Sequence, residues 1–164
     1  RRVMNPQQIF GLQFVLSLFV GAVLARWYVW PALATLPRRR ALMPLLLVHA
    51  TRYIGLVFLV PTVVPPSVPA AFAKPAAYGD LFTALLAIVA LLALRGDWPG
   101  ALPLAWLVNV VGVIDLINAL FQGVRSGVSL GAAYYIPIAA VPVLLITHSM
   151  MFVLLGRRRL EDAL

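Results

Sequence analysis

Cysteine is missing from this chain. Its absence excludes disulfides, thiolate metal sites and thiol nucleophiles, and says nothing about the redox compartment. Charge is scarce too. Only 11% of the 164 residues are charged and 63% are hydrophobic; a soluble domain is about a quarter charged, so this chain is too apolar to stay in water. There is no HExxH, GxSxG, Walker A or dinucleotide fingerprint. Ser149 beside His148 is not a dyad, because neighbours on a helix point about 100° apart. No activated nucleophile is present, so enzymatic activity is not expected. The formal charge of +8 does not point to nucleic acid either. Its basic residues form no stripe interleaved with aromatics; they sit in short runs between apolar segments, as loops do at a negatively charged membrane face.

What the chain has is long apolar runs. Five of them, at about residues 9–30, 41–61, 75–94, 102–121 and 132–155, have the roughly 20-residue length that a bilayer core demands of a helix. A barrel would need short alternating segments instead. The expected fold is therefore all-α: a polytopic integral membrane protein, one transmembrane domain over residues 1–164, built as a bundle of five helices. No internal repeat occurs. Val23, Leu24 and Ala25 resemble a signal-peptidase site, but the first run is read as a retained span. On it Gln13, Ser17, Gly21 and Ala25 recur every four residues, a stripe suited to close helix packing. Trp27, Tyr28 and Trp30 make an interfacial belt with Arg26 snorkelling beside them.

Punctuation sets the boundaries. Pro65 and Pro66 end the second helix, and residues 61–74 should be extended or interfacial with at most a short helical turn. Pro75 suits a helix start. Residues 95–100 are a turn signal, residues 122–131 read as a polar loop, and Pro137 and Pro142 should kink the fifth helix. Arg38, Arg39, Arg40, Arg95 and Arg157 to Arg159 fall on one face, against Arg1, Arg2, Lys74 and Arg125 on the other. The first set should be cytoplasmic, with the N-terminus outside and the C-terminus inside a plasma or inner membrane.

Inside the spans lie a few polar residues. Arg52 falls near mid-membrane, roughly 15 Å from the outer end, with Asp80 and Asp115 about 8 and 9 Å down. Asp115, Asn118 and Gln122 share one helix face. Arg52, Asp80, Asp115 and Asn118 then form one cluster. Its two carboxylates exceed its one guanidinium, so in low dielectric the excess negative charge should hold a proton or a cation. The plainer account is an ion pair that fixes helix packing. His49 and His148 form a second layer about 12 Å from the other end, with Asn109 at the same depth. They are either hydrogen-bonded core residues or axial ligands of a b-type haem; no third zinc ligand is near. Three residues separate His49 from Arg52, which connects the layers along one face. Tyr134 and Tyr135 should join the outer aromatic belt, Trp98 and Trp106 the inner one unless Trp106 lines a pocket, and Met150 and Met151 should face lipid or core.

Two functions fit this pattern. One is a carrier or channel for a small solute or protons, completed as a homo-oligomer, with a route past Asp80, Asp115, Arg52 and His49. The other is a non-enzymatic membrane subunit or scaffold whose buried charges lock the fold.

Overall fold

The computed structural model describes residues 4–127 and 129–157. Arg1, Arg2, Arg158 and Arg159 of the charge count lie outside the described residues. The chain is 84% helical, and no strand occurs among the described residues. Five helices are long and apolar enough to cross a bilayer: α1 Pro6–Ala34, α2 Arg38–Leu59, α3 Ala70–Arg95, α4 Ala101–Ser126 and α5 Gly131–Gly156.

Local chemistry explains where they begin and end. A capping box starts α1: Asn5 accepts from the Gln8 N–H at 2.8 Å, and Gln8 accepts from the Asn5 N–H at 3.0 Å, with Pro6 at the first helical position. Residues 60–69 form turns where a mainly extended or interfacial segment is expected, Val63 and Val64 both donating to the Val60 carbonyl. The start of α3 differs from expectation. Pro69, not Pro75, precedes the first turn, and Pro75 lies inside the helix on its exposed side. There it forfeits one bond close to the helix end, a loss a helix tolerates far better than one at its middle. The end of α4 also differs. Residues 122–126 continue the helix instead of opening a loop, and Gly127, at φ 57°, terminates it in the left-handed conformation that glycine adopts without strain.

Three helices change their winding. Turns of π-helix at Ala25–Val29 in α1 and Ile136–Ala140 in α5 each end two residues before a proline, Pro31 and Pro142. A proline ring clashes with the carbonyl four residues back, and a widened turn relieves that clash. The kink expected in α5 takes this form, with a 3₁₀ turn at Gly131–Tyr134 ahead of it. In α2 the α-helical part stops at Ala50 and a 3₁₀ helix runs over Thr51–Leu59. The switch falls where the Thr51 hydroxyl takes the Val48 carbonyl at 2.7 Å, a back-bond that bends helices.

Helices α2 to α5 close into a ring in which α3 packs on α2 and α4, and α5 packs on α4 and α2. Alanines line the buried side of α3 (Ala73, Ala77, Ala84, Ala87 and Ala90), which lets its neighbours approach closely. The main core joins Ala87 and Ala90 to Leu42, Leu46, Val108, Met151 and Leu154; Met150 and Met151 therefore belong to the core. Helix α1 lies outside the ring against α5 and buries only Leu33, close to its C-terminal end. Its contact side is the small-residue stripe, with Gly21 against Ile146.

One end of the bundle gathers arginines. Arg38 Nη1 donates to the Arg157 carbonyl at 3.1 Å, Arg39 pairs with Asp97 at 3.1 Å, and the Arg157 guanidinium lies 4.8 Å above the Trp30 ring. Lys74 and Arg125 sit near the opposite end.

Candidate functional site

The 3₁₀ winding of α2 is what assembles the charged layer. At three residues per turn, positions three apart eclipse, so Arg52, Gly55 and Phe58 share one face, and all three are buried. Phe58 packs edge-on to Phe72 of α3. Arg52 projects into the ring with its side chain only 1% exposed. Its Nε and Nη2 both reach Asp80 Oδ1 at 2.7 Å, Nη2 reaches Asp115 Oδ2 at 2.6 Å, and Nη1 donates to the Gly112 carbonyl at 3.0 Å. Three helices thus converge on one guanidinium, and the planar fork of arginine suits such multidentate contact.

Two missing side chains make room for the carboxylates. Asp80 lies against Gly55, and Asp115 against Gly79, each so closely that a Cβ on the glycine would overlap the carboxylate. Breaking a buried ion pair by removing one partner costs about 3–5 kcal/mol, although the intact pair need add little net stability. Of the expected cluster, the structure brings Arg52, Asp80 and Asp115 into contact. Asn118 is the exception. It is exposed and accepts from Gln122 Nε2 at 3.0 Å, away from the guanidinium. Three residues turn a helix some 60° short of a full circle, which takes Asn118 out of the interior that Asp115 faces.

The second layer is neutral and more deeply buried. His49 and His148 stack with ring centroids 3.9 Å apart and a 31° tilt. His148 Nδ1 lies 2.7 Å from Asn109 Oδ1, and Asn109 Nδ2 donates to the His148 carbonyl at 3.3 Å. His49 Nε2 lies 3.2 Å from the Thr147 hydroxyl. His49, Thr83, Asn109, Thr147 and His148 are all buried. The sequence brought His49, His148 and Asn109 together; Thr83 and Thr147 were missed. Thr83 follows Asp80 by three residues, a spacing that repeats His49–Arg52 on α2 and Gly112–Asp115 on α4, and this regularity was the available signal. Each pair stands one turn apart, so the two layers form one polar column.

The histidines do not fit a b-type haem. Axial ligation sets two imidazoles on opposite faces of a macrocycle, whereas these rings lie face to face in contact with nothing able to pass between. Among the described residues, no group of three or more His, Asp or Glu could hold a metal ion. Trp106 packs on Phe152 with centroids 5.7 Å apart. The Tyr134 hydroxyl donates to Gln13 Oε1 at 2.6 Å, which ties α5 to α1, and Tyr135 is exposed. An apolar pocket of about 150 Å³ lies at the Arg125 end between Phe58, Val64, Pro65 and Ala73, separate from both layers.

Residues 9–156 match the model of a family described as Domain of unknown function (DUF8737). No curated protein and no solved structure matches the chain.

Proposed function

The chain belongs to this family of unknown function, and on that premise we propose that it is a five-span integral membrane protein serving as a carrier or channel for protons or a small solute. The observation that carries this reading is the column itself. Asp80, Asp115, Arg52, His49 and His148 come from four helices and line up in a bundle whose outer surface is apolar. A charge at mid-membrane costs about 3 kcal/mol on insertion scales, so ionisable residues held there are characteristic of ion and proton routes. The exposed outer face of α1, including Leu12, Val15, Leu16 and Phe19, suits lipid or a second copy of the chain in a homo-oligomer. Reconstitution in liposomes tests the reading directly. Asp115→Asn should reduce solute or proton flux at least tenfold and flatten its dependence on pH. Unchanged flux at every pH would remove the carboxylate from the mechanism.

A second reading is favoured by the closure of the charged layer. With every contact of the guanidinium supplied by Asp80, Asp115 and Gly112, the cluster serves equally as a lock in a membrane subunit or scaffold. Under that reading a charge-free repacking of all three positions retains function, and a stoichiometric partner co-purifies.

The arginine-rich end sets the proposed orientation: N-terminus outside, C-terminus cytoplasmic. Single cysteines at Ser126 and Arg95, labelled with an impermeant maleimide on intact cells, check it. Labelling at position 126 alone is expected. Labelling at position 95 alone inverts the topology and turns the carboxylate layer toward the cytoplasm.

A further inference from the structure

The histidine layer contains three buried side-chain atoms that no protein group among the described residues satisfies: His49 Nδ1, His148 Nε2 and Thr83 Oγ1. They come from three helices, and each residue is at most 1% exposed. A buried polar atom left unmet costs about 1–3 kcal/mol, so three in one layer call for an occupant.

The hydrogen bonds around them determine what that occupant must be. The His148 carbonyl can only accept, so the Asn109 NH₂ faces it, and Oδ1 therefore faces the imidazole. An amide oxygen also only accepts, so His148 Nδ1 carries the proton and Nε2 presents a bare lone pair. For His49, the Thr147 hydroxyl gives its single proton to the Val143 and Leu144 carbonyls, each 3.0 Å away. The hydroxyl then accepts from His49 Nε2–H, and Nδ1 is left bare as well. The layer thus presents two lone pairs and one hydroxyl. No carboxylate or third imidazole joins them in a group able to hold a metal ion among the described residues, so a bridging metal does not suit them. A ligand with two donors and one acceptor on a single heavy atom does.

We infer that a buried water molecule binds among His148 Nε2, His49 Nδ1 and Thr83 Oγ1, donating to the imidazoles and accepting from the threonine. The Thr83 and His148 side chains close on the same point beside Gly112, where a Cβ would lie 2.6 Å from His148 Cε1, 2.9 Å from His148 Nε2 and 3.0 Å from Thr83 Cγ2. Buried waters typically make about three such bonds. The Gly112 carbonyl accepts from Arg52, so this one residue of α4 borders both layers. The inference does not depend on transport: it holds equally if the column is only structural.

Nitrogen NMR of the full chain in nanodiscs, with ¹⁵N-labelled histidine, tests it. His148 should show a protonated Nδ1 and a bare, hydrogen-bonded Nε2 that receives magnetisation from water. Thr83→Val should abolish that transfer, and Thr83→Ser should retain it. A protonated Nε2, a bare Nε2 without water contact in the unaltered chain, or transfer that survives in Thr83→Val would each overturn the site. The unaltered chain and Thr83→Ser decide the matter even if the valine variant fails to fold.

Discussion

The charged layer of α2, α3 and α4 and the histidine layer, to which α5 adds Thr147 and His148, stand one helical turn apart, and they treat their polar groups in opposite ways. Around Arg52 each contact is short and reciprocal, and glycines at 55 and 79 clear the space for both carboxylates. Around the histidines the groups are more deeply buried, yet three of their polar atoms have no protein partner. An uncompensated charge is far dearer than an unmet neutral group in a low-dielectric interior. Folding therefore demands closure of the first layer and only tolerates the second. Such tolerance leaves room for a guest, and the neutral layer is where solvent belongs.

Substitutions sharpen this contrast. Arg52→Ala strands two carboxylates and should lower the unfolding free energy in detergent by about 3–5 kcal/mol. A loss below about 1 kcal/mol is the behaviour of a solvated surface pair and would erase the distinction between the layers. Asn109→Leu is expected to act less strongly. It strands only the His148 Nδ1–H, for about 1–3 kcal/mol in the same measurement, and a neutral result would mean that the imidazole is not held in that tautomer. Asn118→Ala should have the smallest effect, within about 0.5 kcal/mol as for an ordinary exposed position. A larger effect would return Asn118 to the charged cluster.

Much of this was legible beforehand for simple reasons. An apolar run of some 20 residues has few fates besides a long buried or membrane helix, so five helices could be read directly. Arg52 on one helix and aspartates at a matching depth on two others left little choice of partner, because a lone buried charge is prohibitive. Asn118 was misplaced because sharing a face with Asp115 is a coarse criterion: a 60° offset separates an interior group from a surface one. Pro75 misled because a proline marks a start only when nothing upstream does so, and Pro69 already did.

The sequence by itself determined the number of helices, the pairing of Arg52 with Asp80 and Asp115, and the shared depth of His49, His148 and Asn109. All of these depend on apolar length and on axial position, which a chain states plainly. Tertiary structure decided the winding of Thr51–Leu59, the glycine seats at 55 and 79, the stacking of the two imidazoles and the place of Thr83 beside them. These depend on rotation about each helix axis. Rotation is fixed by neighbouring helices, and a change from 3.6 to 3.0 residues per turn moves a side chain by about 20° per residue without leaving a mark in hydropathy.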